Sequence, residues 1–409
     1  MTKSILFYFN PTCELAVANG SFSYVPPLLL QEMEQDLATL PFVFCTKDDV
    51  VLSEKSPSIF FLEMLENCGF EIPRFCTFAQ IEAFSANTFH DILPWGWSPA
   101  AHFKLKNATT KCTSEFKESP VNSWRSEHKA LFERSASLDF LKKILKNYPR
   151  FFFIQEALTG KNVSNSEELE QLLEQHQAIV LKAPVSSSGR GIQIIRKTKL
   201  NESNKQWISG IFKQQKYLIA EPYLQKVIDL SFQFKILPDS KVSYSGFSIF
   251  ETNSNGQYKG TLIHSDLKTI LPEENTETLM EMIESTAQII TDLLPSSVYS
   301  NWHRGFLGVD AMLFRDNEKI YMQPCIEINS RLNMGVLARF IEKRVHSKSS
   351  GKFELFYGKP GEFNSFAKKQ MQRNPIQMLE GKIFSGFMPL VEPDQQKKFG
   401  AYISLGLAR

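Results

Sequence analysis

The sequence predicts an α/β protein built of several α+β lobes, and three observations carry that prediction. Short apolar runs of strand length alternate with helix-period stretches along much of the chain. A strand, a Ser/Gly-rich loop and a second strand follow one another between Ala178 and Ile195. Two apolar strands between Gly305 and Arg331 carry isolated acids, which such strands tolerate only when the acids have a partner or a task. At 409 residues the chain exceeds one ordinary domain, so roughly two to four folding units are expected.

Composition narrows the function classes. Lys plus Arg (46) nearly balances Asp plus Glu (44) with no long run of one sign, which argues against nucleic acid and anionic membranes as partners and for small molecules. A hydrophobic share of 43% supports a sizeable core, and the 34 phenylalanines are read as its packing rather than as base-stacking platforms. The run Ile5–Phe9 is too short for a signal sequence or a membrane span and reads as a first buried strand. Six cysteines show neither C-x-x-C pairs nor zinc spacing with histidine, as expected of reduced, buried thiols in a cytoplasmic protein.

From Ser4 to Asn67 the runs SILFYF, PFVFC and SIFFL read as strands around a helix over Pro27–Leu40. Asn10-Pro11-Thr12-Cys13-Glu14 follows the first strand, where an α/β sheet puts its ligand-facing turn; the same residues also suit an ordinary turn and helix cap. Asn10, Glu14, Asn19, Trp95, Trp97 and His264 are the candidate pieces of a substrate pocket, a structural role being the stronger reading of each. Leu93–Ser126 lacks a sustained period and reads as a connection. Helical spacing follows over His128–Lys146, a strand over Phe151–Ile154 and an acidic helix over Ser166–Gln177.

The strand Ala178–Pro184 ends in Lys182, then comes Val185-Ser186-Ser187-Ser188-Gly189-Arg190-Gly191, then the strand Ile192–Ile195. Small residues let backbone N–H groups and hydroxyls wrap a phosphate while Lys182 neutralises it. The segment matches neither the Walker loop nor a G-x-G-x-x-G fingerprint. Further on, Gly305–Phe314 carries Asp310, and a polar turn leads to Lys319–Met322, continuing through Glu327, Asn329 and Arg331. Residues two apart in a strand share a face, so Glu327, Asn329 and Arg331 line up beside Asp310 if the strands form a hairpin. Two carboxylates and an amide oxygen are hard donors suited to magnesium, and Arg331 can grip a phosphate or an acid with its fork.

Together these motifs resemble the ATP-grasp superfamily, and within it the carboxylate–amine ligase branch that includes D-alanine–D-alanine ligase, biotin carboxylase and the glycinamide ribonucleotide synthetases. The resemblance spans Glu127 to about Arg339. It implies an ATP-grasp fold with a Rossmann-like N-terminal domain, in four parts. These are an α/β pre-ATP-grasp domain (1–120), a first lobe with the phosphate loop (121–215), a second lobe with the metal site (216–345), and a C-terminal extension completing that lobe (346–409). It implies ATP and Mg²⁺, with Mn²⁺ as a possible substitute, as cofactors. Lys182, Ser186, Ser187, Ser188, Gly189, Arg190 and Gly191 would hold the phosphates, with Lys129 as a second phosphate lysine. Glu221, Tyr223 and Leu224 would grip adenine, and Asp229 the ribose. Asp310, Glu327 and Asn329 would ligate the metal, with Arg331 and Lys259 on the transferring phosphate. Gly308 stands where several of these ligases have an arginine, and Arg304 is the candidate replacement.

The implied reaction activates a small-molecule carboxylate as an acyl phosphate and joins it to an amine. A small-molecule kinase and a non-catalytic ATP-binding protein are the rival expectations.

Overall fold

A computed structural model of the chain describes residues 4–186, 191–196, 200–253 and 256–407. The first unit holds a four-stranded sheet of β1 (Ser4–Tyr8), β2 (Val50–Leu52), β3 (Arg74–Cys76) and β4 (Phe89–Pro94). All pairs are parallel and the order is β3-β2-β1-β4. β1 lies in the middle and reads as a continuous apolar run because both of its faces are covered. Asn10 ties the ends of β1 and β4 together through both groups of its side chain, donating to the Gly96 carbonyl (2.8 Å) and accepting from the Gly96 N–H (3.3 Å).

Three expected strands in the first 154 residues are something else. Pro41 opens a 3-10 helix over Leu40–Phe44; its fixed φ suits a helix start, and it has no N–H to give to a ladder. Ser58 caps a helix over Ile59–Asn67 by accepting from the Phe61 N–H at 3.3 Å. Phe151–Ile154 makes only a single bridge, between Phe153 and Met322. The stretch read as a connection contains a helix, Pro99–Thr109, started by the Ser98 cap and by Pro99 in its first turn.

A small antiparallel sheet follows, of β5 (Lys161–Val163), β6 (Ile179–Lys182), β7 (Ile192–Ile195) and β8 (Leu218–Pro222), in the order β5-β8-β6-β7. Helices Ser166–Gln175 and Glu202–Gln215 cover it, burying Leu169, Leu173 and Ile208 against Leu181 and Leu218.

The largest sheet has nine strands: β9 (Gln225–Ile236), β10 (Val242–Thr252), β11 (Tyr258–Ile263), β12 (Gly305–Asp316), β13 (Lys319–Asn329), β14 (Ser349–Tyr357), β15 (Gln377–Leu379), β16 (Lys382–Pro389) and β17 (Phe399–Leu407). The order is β13-β12-β9-β10-β11-β14-β17-β16-β15, so the C-terminal strands continue the sheet that carries the acids. β9 alternates strictly: Leu230, Phe232 and Phe234 pack under the helix Thr276–Leu293, while Asp229, Ser231 and Gln233 face the other way. At the far end of the sheet, Phe353, Phe387 and Ile403 share one core with Phe7, Phe9 and Trp95 of the first unit. No described helix is long and apolar enough to cross a membrane.

One strand of the first sheet carries a misfit charge. Burial pushes the Asp91 carboxyl up to about 6, against the Ile92 N–H and the charge of Lys235. The folded form therefore holds a proton that the unfolded chain (about 3.9) has lost, so stability falls as pH rises from about 4 to 6 and stays lowered above. Asp91→Asn removes that penalty, worth on the order of 1 kcal/mol after allowing for solvent access. The variant is expected to melt a few degrees higher than wild type at pH 7.5 and at the same temperature near pH 4. An equal gain at both pH values would show that the carboxylate charge is not the cause.

Candidate functional site

The acids converge because β12 and β13 pair antiparallel with Asp310 opposite Glu327 and Gly308 opposite Asn329, and β12 also pairs with β9 so that Asp310 sits opposite Ser231. Asp310 receives the Ser231 hydroxyl on Oδ1 (2.6 Å) and the Asn329 amide on Oδ2 (2.8 Å). Burial, with a further push from Glu327, raises the Asp310 carboxyl to about 7 against these hydrogen bonds and the charge of Arg331. Asp229, two residues before Ser231 on the same face, accepts from Thr252 at 3.0 Å and pairs with Lys226.

Across the cleft, Lys182 on β6 and Glu221 on β8 form an ion pair, both largely buried. Their strands run antiparallel with Lys182 opposite Ile219 and Glu221 opposite Val180, a diagonal that puts both side chains on one face. Arg134, the first residue of the helix Arg134–Asn147, joins the two sides. It is 4% exposed and sends Nη2 to Glu327 (3.0 and 3.1 Å) and Nη1 to the Ala183 carbonyl and the Ser186 hydroxyl (2.6 Å each). The gap enclosed beside Arg134, Lys182, Glu221 and Gln323 is about 10 Å³, the volume of one water. Gly191 closes the base of the loop: its carbonyl accepts from the Ala183 N–H (2.8 Å), and a Cβ there would lie 2.3 Å from the Ser186 hydroxyl. Ser187, Ser188, Gly189 and Arg190 lie outside the described residues.

Arg331 is committed on two sides. Its Nε and Nη2 each reach Glu14 Oε1 at 2.9 Å, and Nη2 also donates to Asn329 Oδ1 at 2.9 Å. Burial works against the charge, but the Glu14 carboxylate more than offsets it and holds the guanidinium above its ordinary value. Glu14, read from sequence as structural, thus belongs to the hydrogen-bonded chain Glu14–Arg331–Asn329–Asp310. Asn10 and Glu14 flank the junction where the Leu332 N–H meets the Trp95 carbonyl (2.9 Å).

Other predicted residues stand apart. Arg304 precedes β12 and spends its guanidinium on the Ser300 and His303 carbonyls (2.7 Å each) and on Ser240 Oγ (2.8 Å). It lies six residues along the strand from Asp310, about 20 Å, so it does not replace the missing arginine. Nor does Gly308 have room for one: a Cβ there would sit 2.6 Å from the Asn333 amide nitrogen. Lys259 is exposed on β11, three strands from β12 and about 14 Å across the sheet. Lys129 is exposed on the short helix Ser126–Phe132, whose chain leads directly into Arg134. Tyr223 is exposed beneath the Arg196 guanidinium, 5.0 Å from its ring centroid, and Leu224 is half-buried next to it.

Three residues escaped the sequence reading. Arg134 was legible, since with Leu138, Leu141 and Leu145 it lies on the apolar stripe of its own helix, where a charge needs a buried partner. Ser231 and Gln233 were legible in the alternation of β9.

The donor set suits a hard divalent cation. Asp310 and Glu327 are neighbouring carboxylates of like charge, and Asn329 adds an amide oxygen. Among the described residues no group of three or more His, Cys, Asp or Glu is placed to hold a metal ion.

No family profile and no curated protein sequence matches the chain. Solved structures do. Biotin carboxylase from Campylobacter jejuni, in a beta-gamma-ATP complex, is 11% identical with a TM-score of 0.52, covering 100% of this chain and 88% of that one. The biotin carboxylase domain dimer of Hydrogenobacter thermophilus 2-oxoglutarate carboxylase, in complex with MgADP, ADP and bicarbonate, is 11% identical with a TM-score of 0.51, covering 100% and 86%. N5-carboxyaminoimidazole synthetase from Staphylococcus aureus, complexed with ADP, is 14% identical with a TM-score of 0.48, covering 99% and 94%. At these identities the likeness is one of shape, and with the lobes in the order described above the chain has the ATP-grasp fold, preceded by a Rossmann-like N-terminal domain.

Proposed function

We propose that this protein is an ATP- and Mg²⁺-dependent ligase that joins a small-molecule carboxylate to an amine through an acyl phosphate. The observation that carries this reading is the bridge made by Arg134 between Ser186 of the candidate phosphate loop and Glu327 of the acid strand. Nucleotide complexes of the two carboxylase structures with the same fold support it.

The pairs Lys182–Glu221 and Arg134–Glu327 neutralise the cleft from within, and entry of ATP must part them. Freed, Lys182 and Arg134 offer positive charge to the phosphates, Glu221 accepts from the adenine amino group, and Asp229 holds the ribose hydroxyls. Asp310, Glu327 and Asn329 Oδ1 would hold Mg²⁺, which when bound would supply the remaining neutralisation of phosphate charge. A carboxylate oxygen attacks the γ-phosphorus, the bond to the ADP oxygen breaks, and ADP leaves with the electron pair. The amine then attacks the acyl carbon, phosphate departs and the amine loses a proton. Positioning and charge do most of this work, and closure of the small lobe keeps water from the acyl phosphate. The six cysteines, all buried and free, fit a cytoplasmic setting.

The test is ADP release from ATP and Mg²⁺ with a pooled panel of amino acids and small carboxylates. Amine-dependent release is expected, lowered about 10²–10³-fold in Lys182→Ala. Absence of Mg²⁺-dependent ATP binding by calorimetry would refute the reading.

A further inference from the structure

A cavity of about 600 Å³ opens at the carboxyl ends of β1 and β2, between the first unit and residues 394–398 of the C-terminal region. Its size falls within the roughly 300–1,000 Å³ of small-molecule sites, and its position, outside the carboxyl ends of the central strands of a parallel sheet, is where such sheets bind ligands. Phe9, Pro26, Leu52 and Phe78 contribute apolar wall.

The charges lining it are unequally used. Lys398 is taken up by Glu32 at 2.8 Å, and the Lys398 backbone N–H by Asp36 at 2.8 Å. Glu54, Lys55, Asp394 and Lys397 line the cavity without an ion pair among the described residues, and Glu34 and Lys104, at its β1 end, likewise form none, with each other or with any third side chain. Glu34 accepts only from Thr12, at 2.5 Å from the hydroxyl and 3.4 Å from the N–H, and Lys104 donates only to the Tyr8 hydroxyl at 3.2 Å. Burial pushes the Glu34 carboxyl above its usual range, with the Thr12 hydrogen bond and the charge of Lys104 acting against it. The two opposite charges thus feel one another across the space without closing it.

A lone anion would be repelled by Glu34 and a lone cation by Lys104. A ligand carrying both signs on one small head group, with an apolar body for the walls, satisfies both Glu34 and Lys104. We propose that this cavity binds an apolar α-amino acid as its zwitterion, with the ammonium on Glu34 and the carboxylate on Lys104 beside the Tyr8 hydroxyl. Thr12, which orients Glu34, lies two residues before Glu14, which holds Arg331. That the amino acid is a substrate rests on the ligase reading; that it binds does not.

Calorimetry on the full chain without ATP separates the two. Among the apolar L- and D-amino acids at least one is expected to bind. With L-phenylalanine as the example, 3-phenylpropionate and phenethylamine, each lacking one charge, should bind at least about tenfold more weakly. Glu34→Gln should erase the discrimination against 3-phenylpropionate, and Lys104→Met that against phenethylamine, with thermal midpoints unchanged in both. No binding by any apolar amino acid up to about 10 mM, equal affinity for the singly charged analogues, or tighter binding of ribose 5-phosphate overturns the proposal. Zwitterion binding in a protein that never turns over ATP would sink the ligase reading and leave this one standing.

Discussion

Glu327→Gln is expected to lower ATP-dependent ADP release by about 10²–10³-fold while the chain stays folded. Glutamine keeps the length and one acceptor oxygen, so what is lost is a charge. That charge has two uses: with Asp310 it forms the carboxylate pair of the proposed metal site, and it holds Arg134. Arg134 retains its hydrogen bonds to the Ala183 carbonyl and the Ser186 hydroxyl, so the stability cost should stay within about 1–3 kcal/mol. Titration with Mg²⁺ distinguishes the two uses. Loss of a metal ligand raises the Mg²⁺ concentration needed for half-maximal turnover, and added Mg²⁺ recovers part of the rate; loss of a structural tie to Arg134 does neither. Turnover within tenfold of wild type at low Mg²⁺ would remove Glu327 from the metal site.

The acid strands and the strand that ends in Lys182 were legible because their signal is local. Asp310, Glu327 and Asn329 stand out as polar residues in apolar strands, and the period-2 rule puts the last two on one face. Lys182 ends an apolar strand before a loop of small residues. What failed in the first unit was also local: PFVFC and SIFFL have strand composition, but Pro41 and the Ser58 cap decide for helices. Strands of only three residues, such as β2 and β3, carry too few alternations to outvote such runs. Lys259 and Arg304 came from the resemblance, which transfers position along the chain but not the side-chain partners that fix where a charge points. Glu14 was in view in the turn after the first strand, but its role was not, because the residue that gives it meaning is 317 positions away.

That long-range pair carries the second large effect. Arg331→Met is expected to destabilise the protein by about 3–5 kcal/mol, because it strands the Glu14 carboxylate, 5% exposed and with Oε2 already unpartnered, in a site that excludes water. Glu14→Gln should cost less, since the arginine keeps Asn329 and the Leu332 carbonyl (3.2 Å). In the double variant neither buried charge remains, and the loss should fall at least about 2 kcal/mol short of the sum of the two single losses. Chemical denaturation followed by tryptophan emission reads all four proteins, since Trp95 packs at this junction. Turnover then separates anchoring from catalysis. If Arg331 serves only to clamp the first unit onto the acid strand, the double variant regains activity along with stability. If Arg331 also grips the transferring phosphate, stability returns and activity does not, while Glu14→Gln, with the guanidinium still present and less tightly held, remains active. An Arg331→Met protein as stable as wild type would mean that the first unit is held by its apolar core with the C-terminal strands alone.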